Sequence, residues 1–138
     1  MQRLNKAFLQ KKLEIKQRAN LAKVKLAQTI AFNLIMATPI DTSKALSNWI
    51  ASLNNPKSKV IKAHFVGIDG STHDQSSLMA YLIANEIVQR AKIGQSIYIT
   101  NSVDYIDLLN QGYSNQAPVH FIEKAVNKSV NQLKGMKI

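Results

Sequence analysis

From Gln2 to Met36 the chain runs without a single glycine or proline. Leu, Ala, Lys and Gln dominate this stretch, and β-branched residues are few before Val24. Such residues lose little side-chain freedom in a helix, and nothing removes a backbone N–H or loosens the backbone. The composition predicts one helix over 2–36. At 1.5 Å per residue it is about 50 Å long, against a radius of gyration of roughly 14–15 Å for a domain of this length. Its two halves differ. Leu21, Val24, Ala27, Ala31, Leu34 and Ile35 recur at helical spacing and should face a core. Before them, Leu4, Phe8, Leu9, Leu13 and Ile15 form a thinner apolar stripe among lysines. Those first turns either project past the body and pack on a neighbour, or fray.

Charge follows the same division. Residues 1–30 carry eight Lys/Arg against one Glu, residues 31–122 six against six Asp/Glu, and residues 123–138 four against one. The net charge of +10 therefore resides at the two ends of a neutral middle. Basic ends suit DNA phosphates, an acidic protein surface or plain solvent. The arm's Lys6, Lys11, Lys12, Lys16, Arg18, Lys23 and Lys25 are spread around the helix, with Phe8 the only aromatic nearby. That pattern does not suit base-specific recognition, whereas non-specific phosphate contact needs only positive charge. At 138 residues a single domain is expected: a basic helix over 1–36 and a body over 37–138. The absence of cysteine excludes disulfide and thiolate chemistry and fits synthesis in a reducing cytosol. No apolar run approaches the roughly 18 residues of a membrane span, and Lys11, Lys12 and Glu14 interrupt any leader-like stretch.

The remaining elements are punctuated by turn residues. Thr38-Pro39 should end the first helix, since the residue before proline is pushed out of the helical region. Asp41 or Thr42 can then cap a short helical turn through Ser47. Trp49–Leu53 reads as a strand, stopped by Asn54-Asn55-Pro56, and Val60–Ile68 alternates as a second strand. A helix is expected over Leu78–Ala91, capped by Asp74 or Ser76, burying Leu78, Leu82, Ile83 and Ile87, with Gly94 as its C′ glycine. Gln95–Thr100 is a third strand, and Tyr105–Leu109 a short helical turn stopped by Gly112. A last helix over Gln116–Leu133 would carry Pro118 in its first turn and bury Phe121, Ile122, Ala125, Val126, Ser129, Val130 and Leu133. The order α-β-β-α-β-α makes the fold α+β: a long N-terminal helix and a small antiparallel or mixed sheet packed by two further helices.

Catalytic chemistry finds little support. His64, His73 and His120 do not pair at metal-ligand spacing. Asp104 and Asp107 flank Tyr105 as helix-start charges rather than as a marked acid pair. There is no P-loop, G-x-S-x-G or G-x-G-x-x-G. No enzyme activity, cofactor or metal is expected.

Several motifs nevertheless occur in a specific order. Thr38-Pro39-Ile40-Asp41-Thr42 is followed by Lys44, Ala45 and Asn48-Trp49. Gly94-Gln95-Ser96-Ile97-Tyr98-Ile99-Thr100-Asn101 comes next. Then Tyr105-Ile106 precedes Leu108-Leu109-Asn110-Gln111-Gly112-Tyr113-Ser114-Asn115-Gln116-Ala117-Pro118, and Phe121–Val126 closes the series. Together these resemble the tail-completion (head–tail neck) proteins of long-tailed bacteriophages, the minor tail protein Z-like family, over about Ala37 to Val130. Ser43 and His120 stand where the family usually has glycine, and Asp104 where it has proline. The resemblance implies a structural virion protein at the top of the tail. It would form a ring, most often a hexamer, that joins the tail to the head connector. Its partners would be other copies of itself, neighbouring connector and tail-terminator or tail-tube proteins, and by non-specific contact the channel DNA. Asn101, Tyr105, Gly112, Ser114, Gln116, Ala117 and Pro118 are the signature and candidate subunit contact, with Pro39, Asp41, Thr42 and Trp49 as a structural turn. A plainer reading stays open, in which Asn101, Gly112, Gln116 and Pro118 only fix backbone turns. The alternative for the whole chain is a small basic nucleic-acid-binding module.

Overall fold

Helix α1 spans Gln2–Ala37 without interruption in the computed structural model, which describes residues 2–39, 43–68, 70–113 and 118–136. After it come α2 (Lys44–Ser47), β1 (Ile50–Leu53), α3 (His73–Gln89), β2 (Ile97–Thr100), α4 (Ile106–Asn110) and α5 (Phe121–Lys134). The fold is α+β, as the pattern predicts. β1 and β2 pair antiparallel, Ile50 opposite Thr100 and Leu53 opposite Ile97. The C-terminal half of α1 lies against α3 and α5, and β1 lies against α3. The helix stops where Thr38-Pro39 requires. Thr38 Oγ1 donates back to the Leu34 carbonyl at 2.6 Å and accepts the Trp49 indole N–H at 2.7 Å.

Two apolar clusters hold these pieces. The larger joins Leu34 and Ile35 of α1 with Ala45, Trp49, Ala80, Val103, Ile106, Phe121 and Ala125. Trp49 is buried in it, just before β1. The smaller consists of Ala27, Ala31, Ala51, Ala84 and Val88. Side chains this small let α1, β1 and α3 approach closely. A polar pin adds to the α1–α5 contact: buried Asn33 donates to Ser129 Oγ and Gln132 Oε1, both at 2.9 Å. α5 buries Phe121, Ala125 and Ser129, with Ile122, Val126, Val130 and Leu133 half-buried along the expected stripe.

Several sequence expectations need correction. Val60–Ile68 is not a strand, and the sheet has two strands. Its backbone is met by side chains instead. Asn48, fully buried, accepts the Ile61 N–H at 2.8 Å and donates to the Ile61 carbonyl at 2.9 Å. Ser47 Oγ accepts the His64 N–H, and Ser76 and Thr72 hydroxyls take up Phe65. Alternation gives a segment the right side-chain pattern, but a strand also needs a backbone neighbour. Second, α3 presents the opposite face to the one expected. Ser76, Ser77, Ala80, Ala84 and Val88 are buried, while Leu78, Leu82 and Ile83 are 44–60% exposed and Ile87 is half-buried. It also starts earlier, at His73, so Asp74 and Ser76 lie inside it and Thr72 occupies the N-cap. Third, Leu21 is exposed, unlike the core-facing residues that follow it. Fourth, α5 begins at Phe121, leaving Pro118 before the helix. Gly94 does take positive φ, at +86°, but in the turn closed by the Gln95 N–H and the Lys92 carbonyl rather than at the end of α3.

Candidate interaction surface

The C-terminal signature is built around Asn110. Its Nδ2 donates to both carboxylate oxygens of Glu123 at 2.9 Å. Its Oδ1 accepts the Ile122 N–H at 2.9 Å, and its carbonyl accepts the His120 N–H at 2.6 Å. One side chain thus ties the end of α4 to the first turn of α5. α4 closes as a Schellman motif: the Gly112 N–H bonds the Leu109 carbonyl and the Tyr113 N–H the Leu108 carbonyl. Gly112 has φ +99°, and a Cβ there would lie 2.6 Å from Val119 Cγ2. Asn101 donates to the Ala45 carbonyl at 2.8 Å and accepts the Val103 N–H at 3.2 Å, linking the end of β2 to α2. Tyr105 is half-buried at the N-cap of α4. Burial, then the Asp104 charge, pushes its phenol pKa up. Pro118 is exposed. Ser114, Gln116 and Ala117 lie outside the described residues, as do Asp41 and Thr42 of the first motif. Pro39 and Trp49 of that motif are buried.

Two non-glycine residues of these motifs have positive φ. Ser43 has φ 65° and His120 φ 60°, both left-handed. Ser43 is buried, its hydroxyl 3.0 Å from that of Thr72. The His120 backbone carbonyl accepts the Lys124 N–H, the first bond of α5, and its side chain makes no capping hydrogen bond. Glu123 is held below the usual carboxylate range, first by Asn110's amide, then by its own backbone N–H and the nearby His120. His64 is pushed down by burial.

The arm lies outside all of this. Every residue from Arg3 to Ala19 except Glu14 is exposed, and α1 meets the body only from Asn20, whose amide donates to the Ala91 carbonyl. Leu4, Phe8, Leu9, Leu13 and Ile15 are 45–70% exposed. Lys6, Lys11, Lys12, Lys16, Arg18 and Lys25 point into solvent. Lys23 is different: its ammonium donates to the Gln95 and Lys92 carbonyls and belongs to the body.

A second apolar surface is one the sequence reading placed in the core. Leu78, Met79, Leu82 and Ile83 of α3 are 38–60% exposed, next to Phe32 and Met36 of α1, each 47% exposed. Phe32, Met36 and Leu78 share a groove of about 190 Å³. The signal that could have found it is the run Ser76, Ala80, Ala84, Val88, a small-residue stripe at four-residue steps. The polar clamps Asn48, Ser76 and Asn110 were likewise unmarked by composition. Among the described residues, no three His, Cys, Asp or Glu side chains gather where they could hold a metal ion, and no helix is long and apolar enough to cross a membrane. No family model, curated protein or solved structure matches the chain.

Proposed function

We propose that the protein is a structural subunit of the head–tail connection of a long-tailed bacteriophage, working in a homo-oligomeric ring, hexameric by resemblance, at the top of the tail. The observation that carries the assembly reading is where the large apolar residues sit. The core takes in Leu34, Ile35, Trp49 and Phe121 with many small residues, yet Leu4, Phe8, Leu9 and Leu13 on the arm, and Leu78, Met79, Leu82 and Ile83 on α3, stay open to solvent. Contiguous exposed apolar surface on a protein is characteristically a binding surface. Left-handed backbone at Ser43 and His120 supports the resemblance, because the two departures from its glycines keep the conformation that glycine provides most easily.

The test is assembly. A phage lacking this protein should accumulate filled heads and separate tails, and the wild-type chain supplied in trans should restore joined virions that contain it. Normal particles formed without the protein would refute the reading. The exposed cations of the arm favour, as second reading, a non-specific DNA-binding module. It predicts steeply salt-dependent DNA affinity in a protein that stays monomeric.

A further inference from the structure

The arm and the exposed face of α3 are complementary. On α1, Lys6, Leu9, Leu13 and Lys16 follow one another at steps of three and four residues and share one side of the helix. On α3, Asp74, Leu78, Leu82 and Glu86 follow at steps of four and share one exposed side. The first series reads basic, Leu, Leu, basic; the second acidic, Leu, Leu, acidic. Along the helix axes the outer charges are about 15 Å apart on the arm and about 18 Å apart on α3, a difference flexible lysines can span. The Asp74 side chain is 99% exposed and that of Glu86 66% exposed. Glu86 also meets Arg90 one turn on, a surface pair of the kind that yields easily to another partner.

The occupant is constrained. The arm of the same copy cannot reach, because α1 is one unbroken helix that leaves the body near Asn20, and Leu9 lies about 16 Å beyond that point. Two arms cannot serve one another, since each carries six Lys/Arg against one Glu over residues 2–18. The charged residues within α3 are the acids Asp74 and Glu86, with Arg90 just past its end, whereas α5 exposes Lys124 and Lys128 and α4 is little more than one turn long. We infer that the arm of one copy docks along α3 of the next, Leu9 and Leu13 against Leu78 and Leu82, Lys6 and Lys16 against the two carboxylates. The contact is head-to-tail, so repeating it closes a ring or propagates a filament. This deepens the ring reading above by naming its contact.

The chain has no cysteine, which makes cross-linking clean. Full-length Leu9→Cys and full-length Leu82→Cys are mixed and oxidised. The expected product is a disulfide-linked dimer formed only in the mixture, while Leu9→Cys mixed with Lys57→Cys gives none. In parallel, Lys6→Glu/Lys16→Glu should dissociate the oligomer on a sizing column, as should Asp74→Lys/Glu86→Lys, and mixing the two variants should restore association. Circular dichroism of each variant checks that it is folded. A folded wild-type protein that stays monomeric at high concentration, a ring that yields no Leu9–Leu82 cross-link, or folded charge variants that do not complement each other would overturn the docking. A ring without the cross-link would leave the ring reading standing. A cross-linked ring in a protein dispensable for virions would instead sink the phage assignment.

Discussion

Leu82→Ala and Ala84→Leu, two residues apart on α3, should have opposite consequences to those their hydrophobicity suggests. Leu82 is 51% exposed, so truncation loses about half of a leucine's transfer free energy, on the order of 1 kcal/mol, partly offset by alanine's better helix propensity. Ala84 is 1% exposed and sits among Ala27, Ala31, Ala51 and Val88. Three added carbons there have no space, and overpacking costs about 1–3 kcal/mol or more because α1 and β1 must separate. The assay is urea unfolding by far-UV circular dichroism, at a concentration low enough to keep the chain monomeric. The expected midpoint hardly moves for Leu82→Ala and falls clearly for Ala84→Leu, with unchanged slopes. A loss of several kcal/mol from Leu82→Ala with a neutral Ala84→Leu would mean that α3 is turned the other way, and the reading of its exposed face would fall with it.

His120→Gly should stabilise the fold by roughly 0.5–1 kcal/mol, the relief of a left-handed non-glycine residue less the extra entropy of the unfolded chain; a lowered melting temperature would count against the φ of 60°. Gly112→Ala should do the reverse, by at least about 1 kcal/mol, since φ +99° and the Val119 methyl both oppose a Cβ. Asn48→Ala should cost about 2–4 kcal/mol, because it orphans the Ile61 N–H and carbonyl, and limited proteolysis should then cut within 57–68 while wild type resists. Acid should destabilise the fold in two windows. His64 and Glu123 both have folded pKa values below their unfolded ones, so each contributes fully above its unfolded value and is lost as pH falls, His64 below 6.5 and Glu123 below 4.5. Asn110→Ala should bring the Glu123 carboxyl back toward its ordinary value in an NMR titration, and an unmoved midpoint would refute the amide's role.

Much of the architecture is legible in local chemistry. α1 is declared by its lack of glycine and proline, its end by Thr38-Pro39, and the close of α4 by Gly112, because each is decided within a few residues. The C-terminal half of α5 is legible for a related reason: its apolar stripe is strong and its polar face well marked. Val60–Ile68 was not, because its fate depends on Asn48 and Ser76, which reach its backbone across 11 and 13 positions of sequence. The face of α3 was not, because a helix with large apolar residues on one side and small ones on the other is amphipathic for a core in either orientation. Which side turns inward is settled by the close approach of Ala27, Ala31 and Ala51. The same ambiguity hid the candidate surface: the residues that would bind a neighbour resemble core residues in every respect except the space available to them.

That resemblance has an energetic corollary. The fold's interior holds Asn33, Asn48, Ser47, Ser76 and Ser129, each engaged in hydrogen bonds, and such bonds add only about 1 kcal/mol each once their desolvation is counted. Meanwhile a large share of its leucine, isoleucine and phenylalanine surface remains in water. A polar clamp fixes geometry: Asn48 and Asn110 each determine where one segment lies against another, with little gain in net stability. An exposed Leu–Leu ridge does the converse, gaining free energy from any surface that covers it and fixing geometry only through its flanking charges. Beyond the core around Leu34, Ile35, Trp49 and Phe121, the body therefore fixes its geometry with buried polar groups and leaves a further hydrophobic driving force outside. For a monomer working alone, that distribution is a liability to aggregation. For a subunit whose partner carries the matching ridge, it couples stability to association, so that the arm and α3 of neighbouring copies would bury against each other the apolar surface that the core of each leaves exposed.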